Sequence, residues 1–204
     1  PLTRRWFRKL EGKIAVSPAA VSLVSRYFAG YFNIIPNGID YEHFSAPAEP
    51  IEEFDDGKLN VLFVGRPEKR KGLKYLLRAY LRVREQVPNT RLIVVGAGDF
   101  TRYERLMAAF EDVVFRPNVP YADLPRYYRS AAVFSCPNTG NESQGYVLLE
   151  ALAAGRAVVA SNIEGFAGVM TDEEEGLLVK PKDPAQLAAG IVRLLKNPKQ
   201  RVEF

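Results

Sequence analysis

Short apolar segments alternate with amphipathic segments from residue 59 to the end of the chain. The apolar segments lie at 60–64, 91–95, 113–115, 132–135 and 157–160. Their nearly continuous apolar character is typical of strands that are buried on both faces of a sheet. Helical patterns lie near 72–86, 100–110, 122–130, 146–154 and 184–196. This alternation predicts an α/β fold, a Rossmann-like parallel sheet with helices on both faces.

The first part of the chain has a different organisation. A short strand at 13–16 precedes a helix that begins at Ser17-Pro18, and a second strand at 32–35 leads into a turn at 36–38. From about residue 41 to 57 the chain carries prolines and acidic residues without clear periodicity. We therefore predict that residues 1–45 are the tail of a preceding domain, residues 46–58 a linker and residues 59–204 the main domain.

Composition removes several classes of function. The apolar share of 47% and the charged share of 25% are those of a soluble globular chain, and no apolar run approaches the roughly 18 residues of a membrane span. The single cysteine, Cys136, excludes an internal disulfide, and the single histidine, His43, leaves no ligand cluster for zinc. The net charge of +4 suits phosphate-bearing ligands or an anionic membrane surface, without requiring nucleic acid.

Two glutamates frame a short apolar helix that opens near Gly145. Glu142 precedes this helix, and Glu150 lies within it among leucines and alanines. A carboxylate in such surroundings loses water and needs a compensating partner. That partner is either a Lys or Arg from elsewhere in the fold, or a ligand with two adjacent hydroxyls, such as a ribose.

A basic loop follows the first strand of the main domain. Arg66 comes directly after this strand, and Lys71 precedes a helix whose N-terminus favours anions. Two fixed cations there would hold a diphosphate; the alternative is a solvated basic loop. Gly96-Ala97-Gly98 follows the next strand, but Thr101 replaces the third glycine of a dinucleotide fingerprint, which favours a simple tight turn.

Four sequence blocks occur in a familiar order along nearly the whole chain. They are IPNGID at 35–40, VLFVGR…KG at 61–72, the Glu-x7-Glu segment with ALAAG at 142–155, and GLLVKPKDP at 176–184. Together they resemble the retaining glycosyltransferases of family 4, whose GT-B fold pairs two Rossmann-like domains. The resemblance implies that this chain is the C-terminal, donor-binding half, with a remnant of the N-terminal domain.

The resemblance also implies roles for individual residues. Arg66 and Lys71 would bind the donor phosphates, Glu142 the sugar hydroxyls and Glu150 the ribose. The remaining implied contacts to sugar, phosphate and base come from Gly65, Gln144, Gly145, Tyr146, Val147 and Val119. The implied reaction is transfer of a hexose from an NDP-sugar to an acceptor hydroxyl with retention of configuration. It needs neither a cofactor nor a metal, because Arg66 and Lys71 would neutralise the diphosphate and no Asp-x-Asp motif is present.

Within the family, the chain resembles bacterial phosphatidylinositol mannosyltransferases, which use GDP-mannose. Their base-contacting acidic and lysine positions fall here on Tyr121 and Leu124, which leaves both GDP- and UDP-linked donors open. The family often has Phe where Gln144 stands, and this difference is expected to change packing against the sugar.

The acceptor is expected to be a lipid or glycan bound by the N-terminal domain of the same protein. Because the chain opens on Pro1 without a methionine and ends just after a helical pattern, we expect it to be part of a longer protein. We expect that protein to be cytoplasmic. Alone, it should bind nucleotide and transfer nothing. The basic and aromatic segment 4–10 is either a contact to the inner face of the membrane or the surface helix of a truncated domain.

Two other classes of function remain. An NAD-dependent oxidoreductase would carry an acidic residue at the end of the strand after the glycine turn, where Phe115-Arg116 stands instead. A non-catalytic nucleotide- or lipid-binding module would share the cationic loop but would have no catalytic activity, so substitution of Arg66 or Glu150 would leave turnover of the full-length protein unaltered.

Overall fold

The computed structural model describes residues 2–7 and 9–204. Its strands are β1 (Ile14–Ala15), β2 (Asn33–Ile34), β3 (Leu59–Val64), β4 (Thr90–Gly96), β5 (Val113–Pro117), β6 (Val133–Cys136), β7 (Val158–Ser161) and β8 (Gly176–Val179). Its helices are α1 (Leu2–Phe7), α2 (Pro18–Ser25), α3 (Tyr41–Ser45), α4 (Leu73–Gln86), α5 (Thr101–Met107), α6 (Leu124–Ser130), α7 (Tyr146–Ala153), α8 (Glu164–Ala167), α9 (Pro184–Lys196) and α10 (Pro198–Glu203). None of the described helices has the length and apolar content needed to cross a membrane.

Six strands form one parallel sheet in the order β5-β4-β3-β6-β7-β8. One core layer lies between the sheet and α4, α5 and α9, and a second lies between the sheet and α3, α6, α7 and α8. Helices therefore cover both faces, and the predicted fold class is confirmed. The carboxyl ends of all six strands meet at one edge, where ligands bind in open α/β sheets.

Helix starts follow local chemistry that is visible in the sequence. Asp183 caps α9 by accepting hydrogen bonds from the amides of Ala185 and Gln186, and Pro184 occupies the first helical position. Ser17 caps α2 in the same way, followed by Pro18. A proline at this position sacrifices no helical hydrogen bond, because the first amides of a helix lack an intrahelical acceptor.

The stretch 41–57, which includes most of the predicted linker, packs onto the main domain. Phe44 of α3 is fully buried, and Phe54 in a 3-10 turn at 52–54 is 4% exposed against α6. The amide of Ile51 donates to the Ser130 hydroxyl over 2.8 Å. These contacts come from apolar side chains at isolated positions, which leave no periodic pattern in the sequence. The domain boundaries themselves stay a prediction.

Candidate active site

Two loops meet at the topological switch point of the sheet, where the strand order reverses. Connections run from β3 outward through β4 to β5, and from β6 outward through β7 to β8, so the switch point lies between β3 and β6. The loop after β3 (65–72) and the loop after β6 (137–145) are in direct contact there. The Thr139 amide donates to the Arg70 carbonyl over 2.7 Å.

The Glu142 carboxylate lies at the junction of these loops. Its Oε2 atom accepts hydrogen bonds from Lys71 Nζ at 2.6 Å, Arg70 Nη1 at 2.9 Å and Asn138 Nδ2 at 2.7 Å. The Glu142 and Lys71 side chains are 13% and 14% exposed. In this partly desolvated position the Glu142 carboxylate neutralises the positive charges of Lys71 and Arg70. An anionic ligand would bind the same two charges. The structure thus brings the predicted Lys71 and Glu142 together.

Arg66 lies at the outer side of this cluster. Its side chain is 68% exposed and pairs with Glu68 at 2.8 Å. The other carboxylate oxygen of Glu68 binds Arg70 Nε at 2.6 Å. Arg66 is therefore linked to Glu142 only through Glu68 and Arg70. Gly65, which precedes it, follows β3 directly and donates its amide to the Val95 carbonyl.

Arg70 and Asn138 are members of the cluster that sequence reasoning missed. Arg70 stands in a run of three basic residues, from which spacing alone cannot select the inward-facing one. Asn138 follows β6 by two residues and is 1% exposed. The signal available in the sequence was a polar residue directly beyond a strand that ends at the ligand edge.

Glu150 lies on α7 and is 9% exposed. The Tyr128 hydroxyl donates to its Oε2 over 2.8 Å. Burial raises the pKa of Glu150 above its ordinary value, and the Tyr128 hydrogen bond opposes this shift. In the described part of the chain no Lys or Arg pairs with Glu150 within 4.0 Å, so the partner that the sequence required is a tyrosine hydroxyl.

The raised pKa of Glu150 gives stability a defined pH dependence. The pKa of Glu in an unfolded chain is about 4.3, below the folded value. Between these two pKa values the folded state binds more protons, so the protein loses stability as the pH rises through this window. Glu150→Gln removes this penalty and keeps an acceptor for Tyr128. We expect thermal unfolding to show equal Tm values near the lower limit of the window and a higher Tm for the variant at neutral pH.

The exposed Glu85 provides the control, because Glu85→Gln should leave the pH profile unchanged. A difference between Glu150→Gln and the unmodified chain that is the same at every pH would contradict the assignment of a buried, ionisable carboxylate.

The N-terminus of α7 is fixed by close backbone packing. Gly145 has a φ of 77°, and an added Cβ would lie 2.5 Å from the Phe166 ring, so the position favours glycine for both conformation and space. Tyr146 is 52% exposed beyond it, and Val147 is half-buried. The first amides of a helix have no intrahelical acceptor, and here they face the ligand edge.

Gln144 joins this loop to the first part of the chain. Its buried side chain accepts from the Asn37 amide at 2.7 Å and donates to the Asn37 carbonyl at 3.3 Å. The Ser17 hydroxyl also donates to the Ser143 carbonyl. The Gln144 side chain thus contacts the 36–38 turn, while its backbone amide remains the group that the sequence interpretation assigned to a ligand.

The loop after β5 lies near Glu150. Val119 packs half-buried against the core, and the Tyr121 ring stacks on His43 with centroids 4.7 Å apart. Burial and the neighbouring charge of Glu150 raise the pKa of Tyr121. In the sequence His43 falls in the stretch 41–57, which lacks clear periodicity. The helix α3 carries it to this loop, where its Nε2 contacts the Tyr121 carbonyl at 3.1 Å.

Cys136 and the N-terminal segment lie apart from this chemistry. Cys136 is 2% exposed, and burial raises the pKa of its thiol, so it is a small apolar residue of the core. Of the segment 4–10, Arg8 and the Arg4 side chain lie outside the described residues, whereas Trp6 and Leu10 are 64% and 51% exposed.

Sequence comparison shows which known proteins this chain is similar to. Residues 58–197 match the family model described as glycosyl transferases group 1. The phosphatidyl-myo-inositol mannosyltransferase of Mycobacterium tuberculosis is 38% identical across the whole of this chain. The D-inositol 3-phosphate glycosyltransferase of Arthrobacter is 34% identical over 92% of it. The chain spans about half the length of these relatives, 55% and 48%.

Solved structures share the fold. Sucrose-phosphate synthase from Thermosynechococcus elongatus is 28% identical and superimposes with a TM-score of 0.82, over 99% of this chain and 53% of that one. Anabaena HepE, solved with UDP-glucose, gives a TM-score of 0.85 at 18% identity, over 99% of this chain and 59% of that one.

Proposed function

The chain belongs to the glycosyl transferases of group 1, and on that premise we propose that it binds the nucleotide-sugar donor of a retaining hexosyltransferase. The observation that carries the proposal is the convergence of Lys71 and Arg70 on Glu142 at the switch point of the sheet. Mannose is favoured as the sugar because relatives at 37–38% identity are named mannosyltransferases.

The donor diphosphate would bind the cations that Glu142 now occupies. Lys71 lies in the last turn before α4, and Arg70 precedes it, so both charges are presented beyond the end of β3. Exposed Arg66 can reach the same anion by exchanging Glu68 for phosphate. These fixed charges would stabilise the negative charge that grows as the nucleoside diphosphate leaves, in place of a metal ion.

Displacement by the diphosphate would release the Glu142 carboxylate toward the sugar. A carboxylate accepts hydrogen bonds from vicinal hydroxyls, and the amides at the start of α7 donate to sugar and phosphate oxygens. About one helical turn further on, Glu150 would accept from the ribose hydroxyls, its orientation fixed by Tyr128. The loop around Val119 and Tyr121 would then face the base.

The transfer step exchanges one C–O bond for another. The bond between the anomeric carbon and the diphosphate breaks, the electron pair leaves with the diphosphate, and the acceptor oxygen bonds to the same face of the sugar. The acceptor proton passes to the departing phosphate oxygen. In this proposal the residues that bind the acceptor belong to the N-terminal domain, and the active protein works in the cytoplasm.

A carboxylate that competes with the ligand gives an unusual prediction for Glu142→Gln. Because the competing charge is removed while Lys71 and Arg70 remain, GDP or UDP should bind about five- to tenfold more tightly, which corresponds to about 1 kcal/mol. GDP-mannose or UDP-glucose should gain less, because the variant loses a charged acceptor for the sugar hydroxyls. Isothermal titration calorimetry with the four ligands measures both effects.

Glu174→Gln is the matched control, because Glu174 is exposed in the turn before β8, at the opposite edge of the sheet, and it should leave all four affinities unchanged. Weaker nucleoside diphosphate binding by Glu142→Gln would refute the competition. If the folded, unmodified chain bound none of the four ligands, the donor-binding function would be wrong, and a non-catalytic module would be the better account.

A further inference from the structure

A basic pocket lies between α4 and α5, outside the cluster around Glu142. Its volume is about 540 Å³, and its lining residues are Lys69, Lys74, Tyr75, Arg102, Tyr103 and Leu106. Within the described chain, every charged residue that lines this pocket is a cation. The pocket is therefore suited to an anionic partner.

The segment that supplies the pocket residues is rich in cations. Residues 69–106 contain ten Lys or Arg against three Asp or Glu, whereas the whole chain has a net charge of only +4. Lys69, Lys74 and Arg102 are exposed, and in the part of the chain that the structure describes none of them forms an ion pair within 4.0 Å. Such charges are available to a partner without loss of an existing ion pair.

An exposed apolar side chain accompanies these cations. Leu106 lines the pocket and is 39% exposed. Tyr103 is only 4% exposed and Tyr75 is half-buried, so the pocket offers no open aromatic face on which a nucleic-acid base would stack. Exposed cations beside an exposed leucine match the phosphate layer and the upper acyl region of a membrane.

We propose that the basic pocket docks this protein on an anionic membrane surface, with lipid phosphates bound by Lys69, Lys74 and Arg102. Lys69 lies two residues before Lys71, so a membrane docked here lies beside the loop assigned to the donor diphosphate. A lipid acceptor, of the kind named for the relative at 38% identity, would then be close to the donor. The docking surface itself does not depend on the donor proposal.

Vesicle sedimentation with the 204-residue chain tests this docking surface. The chain should bind vesicles of equimolar phosphatidylglycerol and phosphatidylcholine at low ionic strength, and should not bind vesicles of phosphatidylcholine alone. The triple variant Lys69→Ala/Lys74→Ala/Arg102→Ala should lose about fivefold in partition coefficient for each cation removed. Added salt should weaken binding of the unmodified chain.

A second triple variant controls for total charge. Lys180→Ala/Lys196→Ala/Lys199→Ala removes three exposed cations that do not line the pocket, and should keep most of the vesicle binding. Equal losses in the two variants, no binding to anionic vesicles, or binding of a single-stranded oligonucleotide in preference to vesicles would each overturn the proposal. Calorimetry with GDP and UDP on the same samples checks folding and tests the donor site independently.

Discussion

Lys71→Ala is expected to weaken binding of nucleoside diphosphates about 10- to 100-fold. A hydrogen bond to a charged group contributes about 1.5–3 kcal/mol. Because the Lys71 side chain is only 14% exposed, water cannot easily take its place as a hydrogen-bond donor in the variant. Glu142 keeps Arg70 and Asn138 as partners in the variant, so the loops should stay in place. Calorimetry with GDP and UDP measures the loss, and a thermal unfolding curve shows whether the fold is retained.

Lys69→Ala removes the same charge two residues away and is the control for this experiment. Lys69 is exposed and lines the basic pocket, so its loss should change nucleotide affinity by no more than about twofold, as expected for a screened surface charge. Equal nucleotide affinities for Lys71→Ala and Lys69→Ala would show that Lys71 does not contact the diphosphate.

Gly72→Ala should destabilise the protein by about 3 kcal/mol, a reduction in Tm of about 6–12 °C for a domain of this size. Gly72 has a φ of 77°, and its added Cβ would lie 1.8 Å from the Pro137 carbonyl oxygen. Relief of this overlap requires the loops after β3 and β6 to move apart, which would also separate Lys71 from Glu142. Thermal unfolding and nucleotide calorimetry report the two consequences.

Gly155→Ala isolates the part of this effect that comes from backbone strain. Gly155 has a φ of 63°, but its added Cβ would have no neighbour within 4 Å. This variant should cost about 1 kcal/mol and leave nucleotide binding intact. Similar Tm losses in the two variants would mean that the loop contact at Gly72 contributes little to stability.

The sequence predicted most of the main domain because its elements carry local signals. The helix predicted at 184–196 matches α9 at both ends, since Asp183 and Pro184 fix its start by capping chemistry. The family expected from the four blocks is confirmed, as is the fold. In contrast, α8 was not predicted, because four residues are too short to establish a helical period. The strand β8 was not predicted either, and its apolar run was recognised only as part of the sequence block at 176–184.

The sequence predicted some residues of the site and missed others. Lys71 and Glu142 were selected and lie together, but Arg70 and Asn138, which bind the same carboxylate oxygen, were not. The sequence of a basic run does not show which Lys or Arg side chain will face the site, because the folded loop decides this. The role of each residue toward a donor stays a prediction, which the variants above test.

The amino-acid sequence by itself determined the alternation of strand and helix, the family, and the requirement that the buried Glu150 find a partner. Each of these depends on burial and on hydrogen-bonding groups that are local to a segment. Only the tertiary structure decided that β3 lies beside β6 and that Tyr128 is the partner of Glu150. Strand order joins segments about seventy residues apart, and no local propensity encodes which of the parallel strands will be neighbours.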